Sequence, residues 1–352
     1  MGVKRGIAIA AAVVGLLAAA TPASAATPRP FLFGLNDPHF EDVDTDRALR
    51  LHQRLGSTIA RVGLPWRSVQ PQPGGFGWGY GDRVYRALTA RGIRPVFVVS
   101  QAPGWAQSDA FVLDCLDDPN AGRCQRPPGS GHLGDFARFT AAVAARYPRL
   151  AAIEVFNEPN LGNFNWHPTA DPEHYAGVLR AARDGVRSVR GDLPVISGGI
   201  TLLPQPPVKG MLGGEEFLSR MYAAGARGAM DGIGLHPYPG RRSPTERRAN
   251  LLVDQVRGVR DRNGDRDVPL WITETGYTTQ GPSAVSEATQ AEWLPEQVTR
   301  LLRAPDVAAV LVHTLADSAL PGNSGGFGLT HRDLSPKPVF DRLTAAVSGL
   351  RE

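Results

Sequence analysis

The chain has 352 residues, of which 42% are hydrophobic and 20% are charged, and its formal net charge is +4. This balance excludes a disordered or fibrous protein, because it supplies enough apolar residues for a large core. Only three of the 38 basic residues are lysines, and the scattered arginines form no run typical of a nucleic-acid interface, so no nucleic-acid partner is expected.

The first 25 residues have the order of a secretory signal peptide. Lys4 and Arg5 precede an apolar run from Ile7 to Ala20, and a stretch of small residues follows up to Ala25. The apolar run is shorter than the roughly 20 residues that span a bilayer, which disfavours the alternative of a membrane anchor. We therefore expect cleavage after Ala25 and a secreted protein. Its mature chain of 327 residues (352 − 25) carries 36 basic residues (38 − 2) against 34 acidic ones, and no membrane partner is expected.

Downstream of residue 25, short apolar runs alternate with longer amphipathic segments. Near-continuous apolar runs are typical of parallel strands that are covered on both faces. Eight such units predict a (β/α)8 barrel over residues 26–352 as a single domain, and no glycine-rich nucleotide loop follows the first strand to favour an open sheet. The predicted strands are Phe31 to Asn36, Thr58 to Gly63, Ile93 to Ser100, Ala151 to Asn157, Leu193 to Gly199, Gly232 to His236, Pro269 to Glu274 and Val307 to His313.

Two segments give the clearest helical patterns. One follows Asp171, a capping residue, and Pro172, a residue favoured in a first turn. Its apolar face consists of Tyr175, Val178, Leu179, Ala182, Val186 and Val189. The other places Phe136, Phe139 and Val143 on one face.

The longest predicted loop, Pro103 to His132, follows the third strand. It contains Cys115 and Cys124, which in an oxidising compartment are expected to form a local disulfide. With two thiols and no CxxC spacing, a metal site is disfavoured. Loops after barrel strands lie on the catalytic face, so this loop is expected to form a wall of the active site. The alternative is a loop packed on the outside of the barrel.

Two glutamates stand at the ends of apolar strands. Glu158 ends the run IEVFNE after the fourth strand, and Glu274 ends PLWITE at the seventh. Both carboxyls are therefore expected in the barrel mouth, where a pair of carboxylates is the requirement for cleavage of a glycosidic bond. A lone glutamate at a strand end often pairs with an arginine, but two in these contexts favour chemistry.

The sequence resembles the retaining glycoside hydrolases of clan A, which carry catalytic glutamates on strands four and seven. The resemblance lies in NEP after the fourth strand, WITETG at the seventh, ARVGLPW around Arg61 and GLHPYPG around His236 and Tyr238. The late segment FGLTHRDLSPKPVFDRL is similar to the last turn and helix of family 39 and of related family 5 members. Family 39, with its beta-xylosidase-like enzymes and exopolysaccharide endoglycosidases, and cellulase-like family 5 both remain open.

The resemblance implies a role for each matched residue. Glu158 is the general acid/base and Glu274 the nucleophile of a double displacement, with carboxyls about 5 to 5.5 Å apart. Asn157 binds the sugar 2-hydroxyl, and Arg61 and Tyr238 hold the nucleophile ionised. For His236 the resemblance implies a place beside the acid/base or the sugar. The alternatives are that Arg61 is an ion-pair partner of Glu154 and that His236 is a satisfied core histidine.

The sequence departs from the clan at the end of strand eight. Many members carry a tryptophan there that forms the floor of the sugar subsite, whereas VLVHTLADS offers His313 or Thr314. Tryptophans in loops after strands two, three and four are candidate platforms instead, because an aromatic face stacks on a sugar ring. These residues are Trp66, Trp105 and Trp166; loop packing is the alternative for each. Trp271, inside strand seven, is expected in the core.

Other classes of protein fit the sequence less well. The sequence lacks the HxH or HExxH spacing of a metal-dependent hydrolase among His39, His236 and His313, so no metal or other cofactor is expected. The sequence also lacks the GxSxG turn of a serine hydrolase. A non-catalytic glycan-binding barrel or a transglycosylase remains the alternative to hydrolysis, and the expected partner is a poly- or oligosaccharide.

Overall fold

The computed structural model describes residues 1–2, 31–37, 45–107, 126–162, 166–203, 208–319 and 322–352. Phe31 to Glu352 form one compact unit, and of the unit before it only Met1 and Gly2 are described. The expected signal peptide, its cleavage after Ala25 and both cysteines, Cys115 and Cys124, lie outside the described residues and stay predictions. Within the described ranges, no helix combines the length and apolarity needed to cross a membrane.

Strands and helices alternate along the described chain, with one long helix after each strand. The strands are β1 (Leu32–Asn36), β2 (Ile59–Pro65), β3 (Arg94–Ser100), β4 (Ala152–Val155), β5 in two segments (Val195–Ser197 and Ile200–Thr201), β6 (Ile233–His236), β7 (Leu270–Ile272) and β8 (Val307–His313). The helices are α1 (Thr45–Leu55), α2 (Gly79–Thr89), α3 (Leu133–Arg146), α4 (Pro172–Arg187), α5 (Gly214–Ala223), α6 (Leu251–Arg262), α7 (Glu287–Arg303) and α8 (Pro338–Ser348).

The strands form one parallel sheet that closes on itself. β1 pairs with both β2 and β8, and the two edges of the sheet are the two segments of β5. A parallel bridge from Ile196 to Gly232 joins the first of these segments to the start of β6. The predicted (β/α)8 barrel is therefore confirmed. The predicted fifth strand is interrupted at Gly198 and Gly199.

The helices pack on the outer face of the barrel as their apolar patterns predicted. The Asp171 side chain accepts a hydrogen bond from the His174 backbone N–H at 2.8 Å and so caps α4. The Tyr175 hydroxyl donates to the Val155 carbonyl at 2.8 Å, which ties α4 to β4. The prediction that Val189 belongs to this helix face is wrong, because α4 ends at Arg187 and Val189 is 47% exposed.

The inside of the barrel is layered because alternate residues of each strand point inward. The lower layer is apolar and is formed by Ile59, Val96, Ala152, Ile196, Trp271 and Ala309. Trp271 therefore lies in the core, as expected. Two positions further along the chain, Ile59, Ala152 and Trp271 are followed by Arg61, Glu154 and Thr273, all buried and polar. This second layer forms the floor of the candidate site.

Candidate active site

Arg61 of β2 is the centre of the polar layer. Its Nε and Nη2 donate to the two carboxylate oxygens of Glu154 at 2.6 and 3.0 Å. Its remaining N–H groups donate to Asn36 at 2.9 Å, Glu274 at 2.7 Å and Asn157 at 2.7 Å. A buried guanidinium with every donor engaged has one possible position. Arg61 therefore fixes the residues at the ends of β1 and β4 and after β7.

Glu154 is fully occupied by structural partners. Besides Arg61, it accepts hydrogen bonds from the Gly199 backbone N–H at 2.9 Å and from the Thr273 hydroxyl at 3.3 Å, and it is completely buried. The alternative that Arg61 pairs with Glu154 is thus correct, but Arg61 contacts Glu274 as well. Glu154, Asn36 and Thr273 were not predicted as site residues. The signal in the sequence that could have identified them is a polar residue inside an apolar strand, close to the carboxyl end of that strand.

Glu274, just after β7, is held as a carboxylate. Besides Arg61, the Tyr238 hydroxyl donates to its Oε2 at 2.6 Å. Burial alone raises the pKa of Glu274, but the charges of His236, Arg61 and His313 and the Tyr238 hydrogen bond together outweigh burial and lower this pKa to about 2. Burial, followed by the nearby carboxylate, raises the pKa of Tyr238 well above its ordinary value, so its hydroxyl stays a donor.

Glu158 approaches Glu274 from a turn after β4. Phe156 and Glu158 both adopt the left-handed backbone region, with φ of 65° and 41°. Such φ values are uncommon for residues other than glycine and concentrate at functional turns. One carboxylate oxygen of Glu158 lies within 4.8 Å of one of Glu274. The two predicted catalytic carboxyls thus face one space.

His236, the last residue of β6, lies between the two carboxyls. Its Nδ1 is 2.9 Å from Glu158 Oε1 and 3.7 Å from Glu274 Oε2, and its Nε2 is 3.0 Å from the Thr273 hydroxyl. Burial lowers the pKa of His236, but the charge of Glu274 and the hydrogen bond to Glu158 outweigh burial and raise it. His236 Nδ1 therefore links the two carboxyls.

A cleft of about 570 Å³ opens beside this cluster. It is lined by Arg61, Asn157, Glu274 and His313. Four further lining residues were not predicted from the sequence: Ser68, Tyr80, Ser100 and Gln101. Gln101 begins the connection in which the long loop Pro103 to His132 lies. Residues 108–125 of that loop lie outside the described part of the chain, so its role as a wall stays a prediction.

The tryptophans predicted as sugar platforms differ in exposure. Trp66 is completely buried and stacks on Phe139 with ring centroids 5.6 Å apart, and Trp166 is 1% exposed. The platform role is wrong for both, because neither ring has a face open to a sugar. Trp105 is partly exposed, packs edge-on against Trp66 at 5.4 Å and donates its indole N–H to the Gln70 carbonyl. A platform role for Trp105 stays a prediction.

The donor atoms of Glu158, His236 and Glu274 lie within 4.8 Å of one another, close enough to hold a metal ion. The Arg61 guanidinium, 2.7 Å from Glu274, disfavours this use because it repels a cation.

Comparisons with known proteins support the fold. No family model and no curated protein sequence matches the chain. Among solved structures, a family 39 glycoside hydrolase from the gut symbiont Bacteroides cellulosilyticus WH2 matches with a TM-score of 0.71 and 21% identity, over 91% of this chain and 64% of that one. GH5_18 from Streptomyces cattleya in complex with GlcNAc matches with 0.66 and 19%, over 92% and 81%. A monomeric beta-xylosidase from Caulobacter crescentus CB15 matches with 0.64 and 22%, over 89% and 66%.

The chain thus spans less than two thirds of the first and third of these structures. The structural neighbours include glycoside hydrolases of families 39 and 5, the two families that the sequence motifs resemble. At these identities the likeness is one of fold, and it agrees with the closed (β/α)8 barrel.

Proposed function

We propose that this protein cleaves glycosidic bonds of a poly- or oligosaccharide with retention of configuration. Glu274 is the nucleophile and Glu158 the general acid/base. The observation that carries the proposal is the pair of carboxyls within 4.8 Å, of which Glu274 is held ionised by Arg61 and Tyr238. Retaining enzymes place their carboxyls about 5 to 5.5 Å apart, whereas inverting enzymes need roughly 6.5 to 9.5 Å to admit a water.

In the first step, the Glu274 carboxylate attacks the anomeric carbon while Glu158 transfers its proton to the leaving oxygen. The bond from the anomeric carbon to the leaving oxygen breaks, and a glycosyl ester of Glu274 forms. A water then attacks the anomeric carbon from the side of Glu158, which takes a proton of that water. The bond from this carbon to Glu274 breaks, so that Glu274 is again a carboxylate and Glu158 again carries a proton. The contact of Glu158 with His236 Nδ1 at 2.9 Å keeps its carboxyl oriented toward this space.

Asn157 is placed to bind the sugar beside the nucleophile. Arg61 donates to its Oδ1 at 2.7 Å, so the side-chain amide nitrogen is left to donate to a sugar hydroxyl such as that at carbon 2. Contacts to this hydroxyl strengthen in the oxocarbenium-like transition state.

The substrate class rests on the motifs and on the neighbours. The structures reported above are a family 39 glycoside hydrolase, a beta-xylosidase and an enzyme bound to GlcNAc. We propose a carbohydrate substrate outside the cytoplasm, in line with the predicted signal peptide. A sugar in place of water at the second step gives transglycosylation by the same residues, and a barrel that only binds glycans is the non-catalytic alternative.

Product analysis tests the proposal. The protein is incubated with 4-nitrophenyl β-xyloside, β-glucoside and β-mannoside and with a panel of polysaccharides, and the products are identified by mass spectrometry. We expect cleavage by the wild type in the presence of EDTA and its loss in Glu274→Gln, which keeps the shape of the side chain. Undiminished activity of Glu274→Gln contradicts the proposal, whereas activity abolished by EDTA and restored by a divalent cation favours metal chemistry.

A further inference from the structure

The end of β8 carries a histidine at the rim of the cleft. His313 lines the cleft together with Glu274, and its ring packs against Phe327 and Tyr238 at centroid distances of 5.4 and 6.3 Å. In the sheet register, Asn36 of β1 lies opposite both Arg61 and His313. The three side chains therefore form a row across β2, β1 and β8.

Hydrogen-bond chemistry fixes the direction of every contact in this row. Arg61 has only donors, so its contact at 2.9 Å is with the amide oxygen of Asn36. The amide nitrogen of Asn36 consequently faces His313 and lies 2.9 Å from its Nδ1. Since an amide nitrogen only donates, Nδ1 of His313 must accept, and the ring proton of the neutral imidazole lies on Nε2.

His313 Nε2 has no hydrogen-bond partner among the described residues, and the side chain lines the cleft. We propose that His313 is a specificity-determining residue, held by Arg61 and Asn36 as a neutral Nε2–H donor for a hydroxyl of the sugar bound beside Glu274. This inference rests on the proposed function. It assigns polar recognition to the strand end that, in many clan A enzymes, carries a stacking tryptophan.

The electrostatic surroundings agree with a neutral ring. Burial lowers the pKa of His313, and the charges of His236 and Arg61 lower it further against the opposing effects of Glu274 and Asp37. A second ring proton on Nδ1 also collides with the amide N–H groups of Asn36, whose orientation Arg61 fixes. Both effects favour the Nε2–H form.

The tautomer is measured directly by nitrogen-15 NMR of the histidine rings, with the His313 signals assigned by their loss in His313→Gln. We expect a protonated Nε2 and an unprotonated Nδ1 at neutral pH. In Asn36→Asp the carboxylate accepts instead of donating, and the proton is expected to move to Nδ1. A wild-type ring protonated on Nδ1 overturns the inference, and this measurement needs no turnover.

The donor role is tested by a matched pair of variants. His313→Gln keeps an N–H near the position of Nε2, whereas the shorter amide of His313→Asn reaches the position of Nδ1, where its oxygen accepts from Asn36, but does not reach that of Nε2. On the best substrate of the glycoside panel, we expect kcat/KM to fall about 10-fold in His313→Asn and to stay within about 3-fold in His313→Gln. Equal kcat/KM in the two variants overturns the donor role. Absence of any cleavage by the wild type instead counts against the proposed function, while the NMR result still decides the tautomer.

Discussion

At the scale of single residues, the site is organised by one buried cation. Arg61 of β2 donates to Glu154, Glu274, Asn157 and Asn36, so one guanidinium holds residues in or just after three other strands, β1, β4 and β7. A lysine has neither the planar geometry nor the number of donors to replace it. The buried carboxylate of Glu154 balances the charge of Arg61. The second carboxylate that contacts Arg61, that of Glu274, is left accessible from the cleft.

The lowered pKa of Glu274 predicts acid sensitivity of the fold. In the unfolded chain this carboxyl titrates near its ordinary value of 4.5, and in the folded protein near 2. A depressed pKa in the folded state gives stability that is present above about pH 4.5 and is lost as the pH falls toward 2. The raised pKa of His236 acts only on the alkaline side, because below its unfolded value this ring is charged in both states.

We therefore expect the free energy of unfolding to fall by about 3 kcal/mol more in the wild type than in Glu274→Gln between pH 5 and pH 2. Urea denaturation at several pH values measures this difference. Parallel pH dependences in the two proteins contradict the assignment of Glu274 as a buried carboxylate.

At the scale of strands and helices, all eight strands were predictable from their apolar runs. Four of them end at the predicted residues Asn36, Ser100, His236 and His313, whereas the ends of β2, β4, β5 and β7 were not predicted. β4 ends at Val155 and β7 at Ile272, before Asn157 and Glu274, which the sequence placed within the strands. After Val155 and Ile272 the backbone departs from strand geometry. A positive φ such as that of Glu158 is not predictable from the sequence when the residue is not glycine.

The tryptophans show a second limit of the sequence. Trp66 follows Pro65 in a loop-like context, yet its ring packs on Phe136 and Phe139 of α3, some 70 positions away along the chain. Glu158 and Glu274 were recognisable because strand position and residue type coincide. Pairing partners at long sequence distance, such as Glu154 with Arg61, depend on the closed barrel and were visible only as an alternative.

The interruption of β5 serves the site and predicts a selective defect. A Cβ at Gly199 lies 2.0 Å from His236 Nε2, so this position requires glycine. Gly199→Ala displaces the His236 ring, and we expect kcat/KM to fall about 100-fold. The control is Gly191→Ala, where a Cβ meets nothing within 4 Å. Steady-state kinetics measure both variants, and equal activity of the two argues against a positioning role for His236.

At the scale of the whole molecule, buried charge also links the last loops of the barrel. Lys337 Nζ, at the start of α8, donates to Asp317 at 2.8 Å and to the Thr279 hydroxyl at 3.1 Å. Both charged side chains are buried. Through these two contacts Lys337 joins the segment after β7 to the segment after β8. The segment after β8 also carries Phe327, which lies beside the cleft.

Removal of one partner leaves a buried charge uncompensated. We expect Lys337→Met to lower the free energy of unfolding by about 3 to 5 kcal/mol. Arg220→Met is the matched control, since Arg220 pairs with Glu173 at an exposed site and should change stability little. Thermal and urea unfolding compare the two. A similar small change in both variants contradicts the structural role of the Lys337 pair.

The central claim is that Glu274 forms a covalent bond to the sugar, and trapping of that intermediate tests it most directly. The protein is incubated with the 2-deoxy-2-fluoro glycosyl fluoride of the sugar that the panel identifies, digested with trypsin and analysed by mass spectrometry. We predict that the mass of one fluorosugar is added to the peptide of residues 267–300, and that fragmentation places it on Glu274. An adduct on another residue, or products of inverted configuration without an adduct, would contradict the account.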